Sequence, residues 1–118
     1  MYKRQRWAEE AGVRFTIHND AAVTPTKPLH LIHTAVNRKT LSGRTLGEAQ
    51  RISVETALRA HTIDAAWQVF QETERGSLEV DKIADFVFLN KNPIEFSDTI
   101  DEIKVNKTYR SGKIVWKR

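Results

Sequence analysis

Histidine and aspartate are the residue types placed to do chemistry in this sequence. The run Val13-Arg14-Phe15-Thr16-Ile17-His18-Asn19-Asp20 alternates as a half-buried strand does, with Val13, Phe15 and Ile17 on one face and Thr16, His18 and Asp20 on the other. The second face becomes more polar toward its C-terminal end, where Ala21-Ala22-Val23-Thr24-Pro25 breaks the strand. In a barrel of parallel strands, that end is where catalytic side chains sit. An Asp after a strand also serves as a turn or helix cap, and His18 also reads as a satisfied histidine inside a barrel. His30 and His33 are three apart on one helical face. That spacing can serve a metal, although it also suits a helix surface facing solvent or substrate. One acid and one histidine do not complete a metal site. The absence of cysteine excludes disulfides and thiolate-held zinc or iron–sulfur centres.

The elements that must position these residues follow from periodicity. Residues Tyr2 to Ala11 read as a helix stopped by Gly12, with basic Lys3, Arg4 and Arg6 at its start and Glu9 and Glu10 at its end. This order opposes the helix dipole. The strand Val13–His18 comes next, then a loop through Pro25 and Pro28. A second helix is predicted from about Leu29 to Val36, followed by a loop carrying Gly43 and Gly47. Ser53 is a good N-cap for a third and longest helix, with apolar residues at helical spacing from Val54 to Phe70. His61 lies inside it as a structural residue, and Trp67 and Phe70 read as core or interface. After Gly76 the period changes. Leu78 and Val80 suggest a short strand, and 85–89 a strand buried on both faces. Ser97 to Ile103 reads as one short helical turn. Val105 to Arg110 and Lys113 to Lys117 form a hairpin around Ser111-Gly112, with Ile114 and Trp116 on its apolar face.

The 118 residues amount to one domain, enough to bury roughly two-thirds of the unfolded surface. No apolar run approaches the ~20 residues of a membrane span, and the basic start has no apolar stretch behind it to act as a secretory signal. The cytoplasm is the expected location and no membrane partner is expected. The net charge of +4 comes largely from Lys104, Lys107, Arg110, Lys113, Lys117 and Arg118. Their spacing spreads them over both faces of the hairpin without a basic stripe, so no nucleic-acid partner is expected. A solvated basic edge that discourages strand-to-strand aggregation accounts for them.

Together these residues carry a resemblance. The segment from Gly12 to Pro25 resembles the last barrel strand of the amidohydrolase superfamily, in its family 3 branch of N-substituted formamide deformylases and exoenzyme regulatory proteins. Ala57 to Trp67 is similar to the helix near the end of that barrel. Gly76 to Leu89 is similar to the segment that returns to a small β-sandwich, and Tyr109 to Trp116 to the closing hairpin. The resemblance implies an α/β fold (α+β as an isolated fragment). Residues 1–75 would be the last β/α elements of a TIM-type metal-dependent hydrolase barrel, and 76–118 strands of the adjoining composite sandwich.

It also implies hydrolysis of non-peptide carbon–nitrogen bonds in a small amide-type substrate, by metal-activated water, with a divalent metal, zinc, as cofactor. Asp20 takes the position of the family's aspartate, which is metal ligand and general base; His18 would contact substrate or orient Asp20. The family's His-x-His strand, its bridging carboxylated lysine or acid and its two later histidines have no counterpart here. Ala22 replaces a usual proline, Val80-Asp81 a Pro-Gly turn and Asn90 an aspartate. The chain is therefore expected to be the C-terminal part of such an enzyme, short of the ligands to hold a metal by itself. With a barrel strand deprived of both neighbours, it should form homo-oligomers or associate with an N-terminal fragment. The competing expectation is a non-catalytic interaction or regulatory module on a remnant of the fold.

Overall fold

The computed structural model describes residues 4–118. Four short helices precede a three-stranded antiparallel sheet: α1 (Gln5–Glu10), α2 (Pro28–Asn37), α3 (Val54–His61), α4 (Ile63–Gln68), then β1 (Phe86–Leu89), β2 (Val105–Arg110) and β3 (Lys113–Lys117). Two 3-10 turns, Glu48–Gln50 and Ser97–Glu102, complete the order. The predicted first helix is present as α1, and the part of it on Tyr2 and Lys3 lies outside the described residues. Arg6 pairs with Glu9 at 3.2 Å and Glu10 at 2.8 Å. These contacts raise the Arg6 pKa further above its ordinary value, chiefly through the Glu10 hydrogen bond.

α2 forms close to where the periodicity places it. Pro28 sits in its first turn, where its missing N–H costs nothing, and Arg38 closes it in the left-handed region at φ 56. Its buried face (Ile32, Ala35 and Val36) packs with Ile52, Val54 and Ala57 around Ile100, whose exposure is 0%. Ile100 belongs to the turn Ser97–Glu102 that the sequence predicts, so a residue of the strand-rich part plugs the helical core. Phe15, Ile17, Leu29 and Leu58 pack around this cluster.

Several expectations are corrected. Residues 13–19 are not a strand. Phe15 and Ile17 do turn toward the core, but among the described residues no neighbouring strand pairs with them, and a ladder needs a partner. Side chains hold the segment instead. Thr16 Oγ1 donates to Gln68 Oε1 at 2.8 Å. The Arg14 guanidinium lies 3.3 Å from buried Asp64 and over the Trp67 ring.

The long third helix is two helices, because Thr62 breaks it at φ −124, ψ −95. Its hydroxyl bonds back to Leu58 O at 2.8 Å, a contact that bends helices. Gly76 fits into the notch, so close that a Cβ there would lie 2.8 Å from Ala66 Cβ and 2.9 Å from Ile63 Cα. Phe70 lies beyond α4 at φ 58 and is 88% exposed rather than core, while Trp67 is partly covered.

Leu78 and Val80 form no strand and are exposed. β1 forms where predicted but is not buried on both faces, since Val87 and Phe88 remain about half open. The hairpin stands as expected, with Ser111 and Gly112 both at positive φ, as a two-residue turn of the mirror-image type requires. A register shift between Thr108 and Tyr109 pairs Ile114 with Tyr109 and Trp116 with Thr108. Adjacent strand residues point to opposite faces, so Ile114 and Trp116 do not share the single apolar face expected of them, and both are about half open. Phe86 stacks on Tyr109 with ring centres 4.5 Å apart. Every residue of β3 is exposed, and among the described residues its outer edge is unpaired.

Candidate functional site

The break after Ile17 sets the site. His18 and Asp20 enter a loop that Asn19 closes: its amide donates to Thr24 O at 3.4 Å and Thr26 Oγ1 at 3.3 Å, while the Thr24 hydroxyl donates to Asn19 O. Val23 N–H returns to Asp20 O at 2.9 Å. This turn holds Asp20 in the left-handed region at φ 52, which aspartate tolerates better than most residues. The Asp20 N–H donates to His18 Nδ1 at 3.1 Å, so that nitrogen is an acceptor and the His18 proton sits on Nε2. The Asp20 carboxylate makes no hydrogen bond or ion pair among the described residues and stands exposed.

The loop, α2, residues 39–41 and the turn Ser97–Glu102 enclose a cleft of about 620 Å³. His18, Asp20, His30, His33, Lys39 and Asp101 all line it, with Leu31, Val23 and Leu41 as apolar wall. A smaller hollow of about 160 Å³ on the other side of His18 is mostly apolar and ends on Gln5 and Arg38. The two residues singled out on the expected strand thus reach one cleft, although the strand itself does not form.

His33 is 7% exposed. Its Nδ1 lies 3.1 Å from Asn37 Nδ2 and 3.4 Å from Asp101 Oδ1. Burial pushes its pKa below the ordinary imidazole value. Asp101 partly offsets this, and the charges of His30 and Lys39 add to the lowering. His61 is structural, as expected: Nδ1 donates to Ala57 O at 3.1 Å, while Nε2 is buried without a partner among the described residues. Burial lowers its pKa too. Asp101 and Asn37 were not foreseen. Asp101 comes from a turn far along the chain, and only the docking of that turn on α2 brings it here.

A metal is tested against this donor set. Among the described residues, no three of the His, Asp and Glu side chains are disposed to share a cation, and a catalytic zinc ordinarily takes three protein ligands. The residues of this cleft do not fit a complete metal centre. They supply an acid and imidazoles facing a common space.

Comparison with known proteins gives the class. The amidohydrolase family model matches residues 1–116, and the chain belongs to that family. It is 30% identical over 110 residues to the N-substituted formamide deformylase of Arthrobacter pascens, covering 92% of this chain and 20% of that protein. It is 40% identical over 97 residues to the protein LONG AFTER FAR-RED 3 of Arabidopsis thaliana, covering 80% of this chain and 16% of that one. An amidohydrolase from Thermotoga maritima has the same fold over 93% of this chain and 24% of its own, with a TM-score of 0.66 at 22% identity. The chain therefore spans about a fifth of the length of the curated relatives it matches. Its architecture is mixed, helices with a small antiparallel sheet, and no helix among the described residues is long and apolar enough to cross a membrane.

Proposed function

We propose that this chain is the C-terminal portion of a metal-dependent hydrolase of non-peptide carbon–nitrogen bonds, to which it contributes Asp20 as metal ligand and general base. In the complete enzyme, residues 1–75 would be the closing β/α elements of a TIM-type barrel and 76–118 strands of a composite sandwich. The observation that carries this reading is the family match across nearly the whole chain, with the Asp20 carboxylate free in a cleft it shares with His18. A divalent metal, zinc, would supply a water acidic enough to deprotonate near neutral pH. A carboxylate beside it is a suitable base, and His18 would contact the substrate or orient Asp20, whose N–H its Nδ1 accepts.

The unsatisfied outline of this chain supports the partner it implies. Among the described residues, 13–19 lack strand neighbours and β3 presents an unpaired edge, with Val115 and Trp116 exposed. An N-terminal barrel fragment, or further copies of this chain, would cover both. The substrate class is a small amide, and an N-substituted formamide is the first probe because the deformylase relative is named for it.

The test mixes this chain with the N-terminal remainder of a homologous amidohydrolase and follows formamide hydrolysis and bound zinc. Turnover should appear only in the mixture and fall by at least about 100-fold with Asp20→Asn. Turnover that survives Asp20→Asn at full rate would end the assignment. The second reading, a non-catalytic interaction module, draws on the incomplete donor set. It predicts association of the two fragments without zinc or turnover.

A further inference from the structure

We propose that His33 is a two-position proton latch: its Nδ1 takes either the Asn37 amide or the Asp101 carboxylate, and the choice sets how α2 and the turn Ser97–Glu102 wall the cleft containing Asp20. This goes beyond the hydrolase reading and does not depend on it.

The geometry makes the two partners mutually exclusive. Asn37 Nδ2 donates to Ser97 O at 2.7 Å. A carbonyl only accepts, so this bond fixes which end of the amide is nitrogen. The second hydrogen of the same Nδ2 then faces His33 Nδ1 at 3.1 Å, which must offer a lone pair. Neutral His33, with its proton on Nε2, thereby joins a chain from α2 through Asn37 to the backbone of the turn. The Asp101 carboxylate, 3.4 Å from the same nitrogen, receives nothing from it in this state.

Protonation reverses the arrangement. Nδ1–H now donates to Asp101 Oδ1 as a charge-assisted bond, and the Asn37 hydrogen meets another N–H. Asn37 must turn away, which weakens its hold on Ser97. The ring is buried and stays in place, so the turn has to answer. Because Ser97 and Asp101 belong to the turn that delivers Ile100 to the core, and Asp101 and His33 both line the cleft, the exchange is felt beside Asp20.

The charges around His33 are Asp101 and Asp98 from the turn, His30 from its own helix, and Lys39 from the segment after it. α3, the other helix packed on α2, adds no charged group to these surroundings. The neutral state is the resting one, because burial outweighs the two aspartates.

The experiment is a pH titration of the isotopically labelled chain from about pH 8 to about pH 5, spanning the ordinary imidazole range. Imidazole, Asn37 side-chain amide and backbone resonances are followed by NMR. The expected result is one sigmoidal transition shared by the His33 ring, both Asn37 amide protons and the amides of residues 97–101. In His33→Gln, which can bond both partners without titrating, the shared transition should vanish from Asn37 and residues 97–101. Asp101→Asn keeps a His33 that titrates but at lower pH, since the attractive carboxylate is gone. His61→Gln serves as control and should leave the transition intact. A His33 titration that leaves Asn37 and residue 97 unmoved, or a transition that persists in His33→Gln, would overturn the latch. If His33→Gln fails to fold, the unaltered chain decides the question: a His33 ring transition not shared by the Asn37 amide protons and residues 97–101 refutes the proposal.

Discussion

Replacing Gly76 by alanine should separate a steric effect from a conformational one. A Cβ at Gly76 would lie 2.8 Å from Ala66 Cβ, 2.9 Å from Ile63 Cα and 3.1 Å from Thr62 O, at φ +94. Two of these neighbours are backbone atoms and the third is a Cβ, so no flexible side chain can swing aside. Positive φ costs an L-residue about 1–2 kcal/mol, and overpacking of this kind adds about 1–3 kcal/mol. Gly43 is the internal reference: it has φ +80 and nothing within 4 Å of its imagined Cβ. Gly43→Ala therefore carries only the first cost and Gly76→Ala both. Urea unfolding followed by far-UV circular dichroism reads the difference. With about 2 kcal/mol between them and a denaturant slope typical of small domains, the Gly76→Ala midpoint should fall below that of Gly43→Ala by roughly 1 M. Coincident midpoints would refute the idea that Gly76 lets the chain close onto the break between α3 and α4.

Ser53→Ala removes the oxygen that accepts from Thr56 N–H at 3.0 Å at the start of α3 and should cost about 1 kcal/mol in the same assay. The pH dependence of stability follows from His33 and His61, whose folded-state pKa values both lie below the ordinary imidazole value. The unfolded chain therefore binds protons first as pH falls. Stability should be full above about pH 6.5, drop as pH passes below it, and level off below the folded-state values. Denaturation midpoints measured across that range check this. A midpoint that rises on acidification would contradict it.

The residues that make local structure were legible because their causes are local. Pro28 and the apolar spacing after it write α2, Ser53 caps α3, and Ser111-Gly112 turns the hairpin through two positive φ values. The family, too, was legible, since order and residue type along most of the chain carry it. Asp20 and His18 could be singled out by alternation alone, and they do reach the same cleft.

Tertiary structure decided what depends on partners distant in sequence. Val13–His18 has the pattern of a strand but no neighbour to bond among the described residues, and a ladder cannot be written on one segment. The long apolar period through Phe70 did not reveal the break at Thr62, because the break accompanies Gly76 lodging against Ile63 and Ala66. Nor could spacing place Asp101 beside His33. Ile100 is buried without exposure between α2 and α3, and that burial carries its neighbour Asp101 to the cleft. Sequence determines which backbone conformations and faces are cheap; only the closing of the chain on itself determines which of those faces meet.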